Sequence, residues 1–160
     1  MWRKNRNVCI TYTPIPHTSP VQIDDLVRYQ PLRSTTIKTV HGVDKPFAVA
    51  NTASTTEASP EGDKQVASLG YNWRGKGWLV IASSRWEILG YGEEEGTDNA
   101  YVVTYFAKTL FTPAGVDFYS RKGKLKPETV EGIKTGLARL GGEVAKLAGE
   151  VFEIVMDGGE

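Results

Sequence analysis

Arg28 and His41, in the first third of the chain, and a dense set of rings in the second half are the side chains whose types could do chemistry together. His41 alternates with Thr39 and Ile37 in a strand-like pattern. An imidazole exchanges its proton near neutral pH, so His41 is the best general acid or base that the sequence offers. Arg28, within Leu26-Val-Arg-Tyr29, would orient a carbonyl or carboxylate if it shared that face. Strand parity leaves both orientations open, inward or toward water. The rings that would line a ligand pocket beside them are Tyr71, Trp73, Trp86, Tyr91, Tyr105 and Phe118. Tyr and Trp combine a large apolar face with a hydrogen-bonding tip, which suits a flat or polycyclic molecule. Core and helix-interface packing is the other use for any single ring.

Other chemistries lack their residues. There is no Cys/His spacing for zinc, no glycine-rich phosphate loop and no Gly-x-Ser-x-Gly elbow, so neither a metal nor a cofactor is expected. Glu93 to Glu95 form a charge run on a turn, the usual place for solvated carboxylates. With 19 basic and 19 acidic side chains, no global field draws the chain to nucleic acid or to an anionic membrane. The single cysteine, Cys9, cannot form an internal disulfide, and the opening Met-Trp-Arg-Lys-Asn-Arg lacks a signal-peptide core. A cytoplasmic location is the expectation, and no run reaches the length of a membrane span.

The elements that must position these residues are mostly strands. Val8, Ile10 and Tyr12 alternate with Cys9, Thr11 and Thr13, and Pro14 to Pro20 ends that run. Ile23 to Gln30, Thr35 to Val43, Gln65 to Trp73, Trp78 to Ser83, Arg85 to Tyr91, Ala100 to Phe106 and Val116 to Ser120 read as further strands, with a short one at Phe47 to Ala50. Asn51 to Asp63 reads as a surface loop. After Lys126-Pro-Glu128 the apolar residues Val130, Ile133, Leu137, Leu140, Val144, Leu147 and Val151 recur three or four apart, predicting an amphipathic helix with a weak point at Gly141-Gly142. That stripe packs on the sheet, or leaves Leu147, Val151 and Ile154 to form a homodimer through the C-terminal segment. About eight strands and one helix make a single domain over residues 1–160, with a barrel over about 5–122 and a helical segment over about 127–156.

Trp2 at the first strand, Gly96-Thr-Asp-Asn-Ala-Tyr101 before a late strand, Arg121 after the last strand and a following helix resemble, in that order, the lipocalin family of the calycin superfamily, and intracellular fungal lipocalin-like proteins in particular. The resemblance covers most of the chain. It implies an eight-stranded antiparallel up-and-down β-barrel with the helix packed outside. It also implies that Arg121 stacks on Trp2 to close one end, and that the Pro-rich loop with His17 is a lid.

Two functions follow from that architecture. One is binding of a small hydrophobic ligand in the barrel cavity. The other is an enzyme in which the cavity promotes isomerisation, cyclisation or dehydration of a hydrophobic secondary metabolite, with His41 and Arg28 as the catalytic pair. Restriction of a bound substrate needs few dedicated residues, so the sequence does not separate the two.

Overall fold

A computed structural model of the chain describes residues 2–49 and 69–157. Seven strands form one antiparallel sheet: β1 (Asn5–Pro14), β2 (Ile23–Pro31), β3 (Lys38–Phe47), β4 (Gly70–Gly75), β5 (Ser83–Glu93), β6 (Ala100–Phe106) and β7 (Gly115–Ser120). Each strand pairs with its neighbour in sequence, giving the order β1-β2-β3-β4-β5-β6-β7. The sheet is curled into a half-barrel. Its curl is measured by Tyr12 of β1 and Trp86 of β5, whose rings stack at 5.9 Å although three strands lie between them in the sheet.

The expectation of a mainly β, antiparallel up-and-down sheet holds; of the eight strands and closed barrel expected, the described residues show seven strands in a sheet that begins at β1 and ends at β7. One reason lies at Trp78 to Ser83, expected to be a strand. Gly77 adopts φ +61°, a left-handed conformation that suits glycine, and the chain makes a short 3-10 turn over Gly77–Leu79. Of the expected Phe47 to Ala50 strand, Phe47 ends β3 while Ala48 and Val49 lie beyond it; Ala50, the expected Asn51 to Asp63 loop and the first residues of the expected Gln65 to Trp73 strand lie outside the described residues.

Two bulges re-aim side chains. The β1–β2 register shifts between Arg6 and Cys9, where Asn7 has φ +51°. The β5–β6 register shifts between Ile88 and Gly90, which turns Leu89 toward the outer, helix-covered face.

Two helices follow the sheet, where one was expected: α1 (Pro127–Leu140) and α2 (Gly142–Gly149). Pro127 suits the first turn of α1, and Glu128 and Arg139 complement its dipole. The break falls at Gly141 and Gly142, with φ +70° and +59°. The apolar stripe therefore does not run on unbroken. Leu137 and Ala148 are buried against Val103 of β6 and Val116 of β7, with Ile133, Val144 and Leu147 around them, while Leu140 is left exposed beside the break. Beyond α2 the chain crosses to the start of β1. There Asn7 N–H donates to Val155 O at 2.8 Å, and Arg3 lies 4.3 Å from the Phe152 ring. No helix among the described residues is long and apolar enough to cross a membrane.

Candidate functional site

Pairing in register fixes which side chains share the concave face. Tyr12 lies opposite Asp25, Asp25 opposite Gly42, Asp44 opposite Trp73, Tyr71 opposite Trp86, and Thr104 opposite Asp117. Because side chains alternate along a strand, these residues line one surface. Burial agrees with that parity except at the edge strand β1, where Tyr12 is exposed. Asp25, Val27, Gly42, Asp44 and Tyr71 are buried, whereas Cys9, Thr11, Arg28, Thr39, Asn72 and Arg85, of opposite parity, are exposed.

The centre of the surface is an aromatic stack. Tyr71 and Trp86 lie 4.6 Å apart at 22°, and Tyr12 continues the stack from across the curl. Trp86 Nε1 donates to Asp44 Oδ1 at 2.8 Å, which fixes the indole plane. Trp73 lies directly over Gly42: a Cβ there would sit 2.2 Å from its Nε1, so only glycine admits the ring. Through this placement the Trp73 indole also hydrogen-bonds Asp25.

Beneath the rings are carboxylates. Asp44 is 0 % exposed and Asp25 is 7 % exposed. Among the described residues Asp44 Oδ2 and Asp25 Oδ1 have no hydrogen-bond partner. Burying a carboxylate disfavours its charged form. Desolvation, and then the neighbouring Asp44 and Asp24, push Asp25 up to about 7 against the opposing Trp73 hydrogen bond. Desolvation pushes Asp44 up to about 6 against that of Trp86. On the far side Asp117 is raised by burial and is steadied by the Tyr119 hydroxyl, which donates to its Oδ2 at 3.0 Å, and by Trp2. Tyr119 is pushed up, first by burial and then by Asp117, and Tyr12 is pushed up by its packing on the stack and by Asp25, although 39 % of its surface stays exposed at the edge strand. The surface thus offers flat apolar faces with weakly acidic groups between them. A shallow depression of about 240 Å³ is lined by Asn72, Ser83 and Arg85 from the outer side together with Trp73 and Ser84.

The expected site residues divide between two faces. Tyr71, Trp73 and Trp86 line the concave side. His41 lies opposite Leu26 on the outer side, where its Nε2 is 2.9 Å from Asp24 Oδ2 and Lys76 Nζ binds the same carboxylate. Those two partners hold Asp24 below the usual carboxylate range. Arg28 is on that outer side too, exposed, opposite Cys9 and Thr39. Tyr105 and Phe118 pack toward the helices, and Tyr105 donates to Glu143 Oε2 at 2.9 Å. Tyr91 is exposed beyond the β5 bulge. Trp2 is buried with its ring 5.3 Å from Tyr29, and Arg121 is exposed, with its backbone N–H on Ala100 O at 2.9 Å.

Asp25, Asp44, Asp117 and Tyr12 were not among the expected site residues. A signal existed for Asp25: it shares parity with Ile23 and Val27, whereas Asp24 and Arg28 share the other parity. Among the described residues no three His, Cys, Asp or Glu side chains are grouped to hold a metal ion. Comparison with protein-family models, curated proteins and solved structures found no match. The curled antiparallel sheet with C-terminal helices is compatible with a calycin-like fold.

Proposed function

We propose that the protein binds a small hydrophobic molecule against the concave face of its sheet, a lipocalin-like use of this architecture. The observation that carries the reading is the Tyr12–Trp86–Tyr71 stack, which gathers rings from three strands onto one surface. A flat apolar body would lie along these rings. Native mass spectrometry of protein purified from its own source tests this. The expected result is a co-purifying small molecule that Trp86→Ala or Tyr71→Leu releases; retention of that molecule by both folded variants would overturn the assignment.

The unpartnered Asp25 and Asp44 oxygens favour a second reading, an enzyme of the isomerase, cyclase or dehydratase kind. In that reading Asp25, rather than His41, exchanges a proton with the bound substrate. Asp25→Asn separates the two: an enzyme keeps the bound molecule and stops converting it, whereas a carrier shows no conversion in either form.

A further inference from the structure

The up-and-down order places the β2–β3, β4–β5 and β6–β7 connections at one end of the half-barrel. That end leaves its largest apolar side chains in water. The β4–β5 connection exposes Trp78, with 85 % of its surface free, together with Val80 and Ile81. The β6–β7 connection exposes Leu110, at 95 %, and Phe111; Leu32 and Ile37 do the same on the β2–β3 connection. Single exposed apolar residues are ordinary, but clusters on neighbouring loops mark interaction surfaces.

The same three segments are basic throughout. Arg33, Lys38, Arg74, Lys76, Arg85 and Lys108 fall within residues 31–38, 74–85 and 106–115, and those stretches contain no Asp or Glu. Lys76 is paired with Asp24, and Arg85 lies over the Phe47 ring. Among the described residues Arg33, Lys38, Arg74 and Lys108 have no ion-pair partner. Two acids from other elements are engaged elsewhere: Glu143 accepts from Tyr105, and Asp157 is bound by Arg6. The opposite end is mixed in charge, with Lys122 on Asp98 and Lys126 on the Glu95 carbonyl. A net charge of zero therefore conceals one end that is both cationic and apolar.

We propose that this end docks on an anionic lipid surface, with Trp78, Ile81, Leu110 and Phe111 entering the interfacial layer and the basic side chains resting on the headgroups. Separate projecting tips suit a deformable surface that closes around each of them. The cations match headgroup phosphates and carboxylates, and lysine and arginine stems reach back to water from apolar surroundings. A nucleic acid would use the cations and leave Val80, Ile81 and Leu110 without partners.

The test is co-sedimentation of the full chain with phosphatidylcholine vesicles, with and without phosphatidylserine. Binding is expected only with phosphatidylserine, weakening with added salt. Chain-brominated lipids should quench tryptophan emission in the wild type, and Trp78→Phe should remove most of that quenching. Arg33→Gln and Lys108→Gln should each weaken binding roughly fivefold. The double variant Trp78→Ala/Leu110→Ala should lose it while keeping the wild-type far-ultraviolet circular dichroism spectrum. Equal binding to neutral vesicles, binding without quenching, or capture by single-stranded RNA or heparin with no vesicle binding would each overturn the proposal.

Discussion

Asn7 and Val155 hold the C-terminal tail against the edge strand of the sheet: the Asn7 backbone N–H donates to the Val155 carbonyl at 2.8 Å. The Asn7 side chain completes the clasp. Its Oδ1 accepts the Asp157 N–H at 2.7 Å, and its Nδ2 donates to Asp157 Oδ2 at 2.8 Å. Arg6 binds the same carboxylate. The clasp occupies backbone groups at the start of β1 that would otherwise offer a pairing edge. Replacing Asn7 with alanine removes the side-chain part of it. The expected cost is about 1 kcal/mol, or a drop of about 2–4 °C in melting temperature. Hydrogen exchange should quicken at residues 155 and 157; unchanged exchange there would show that the tail is held by other contacts.

The Trp73–Gly42 contact makes a second expectation. Gly42→Ala forces the indole off its site, because the new methyl carbon would lie inside the ring's contact distance. Overpacking of this kind costs about 1–3 kcal/mol. Melting temperature should fall and tryptophan emission should change, while Gly90→Ala, where an added Cβ meets nothing within 4 Å, leaves emission as it was. Equal effects of the two substitutions would count against the close approach.

The raised carboxylates set a pH dependence of defined sign. Asp25 and Asp44 hold protons up to about 7 and about 6 in the folded protein, whereas the unfolded chain releases them near the ordinary 3.8. Between those values the native state binds more protons, so stability falls as pH rises, by up to about 1.4 kcal/mol per pH unit for each group. Asp24 and Glu94, held low by their hydrogen bonds, act in the opposite sense: their contribution is present above the usual carboxylate range and is lost in more acidic solution. Asp25→Asn should flatten the decline of unfolding free energy between about pH 4 and about pH 7, followed by chemical denaturation. Parallel profiles for variant and wild type would refute the assignment.

Glu94 joins the β5–β6 turn to the start of α1. Its Oε1 accepts Lys126 N–H at 2.7 Å and its Oε2 accepts the Asn99 amide at 2.9 Å, while Asn99 Oδ1 takes Lys122 N–H at 2.8 Å. Lys126 is the N-cap of α1 and supplies no side-chain cap of its own, so a carboxylate from another element does that work. Glu94→Ala should lower the melting temperature and quicken amide exchange at residues 126–130. Exchange in those residues that matches the wild type would rule out the capping role.

The strand-rich fold and the helical tail were legible because their periods are local: alternation in Val8 to Thr13, and spacings of three and four from Val130. What escaped depends on geometry that no short window contains. The Leu89 bulge changes which side chains of β5 face inward, whereas the break after Leu140 falls at the Gly141-Gly142 weak point that the sequence itself marks. Parity alone did not decide between the faces of β2 and β3, and the answer places Asp25 and Asp44 inward and His41 outward. The Glu93 to Glu95 run read as solvated, yet Glu94 is buried, because its partners Asn99 and Lys126 arrive from later elements.

The neighbour-to-neighbour strand order has a kinetic side. Apart from the β3–β4 pair, which closes across residues 48–69, each hairpin joins strands near in sequence at small entropic cost, whereas the meeting of Tyr12 with Trp86, and of Asn7 with Val155, joins distant segments. Refolding should then lay down the meander first and bend it afterwards. Substitutions at those two long-range junctions would mainly hasten unfolding, and the concavity would be the last part of the molecule to mature.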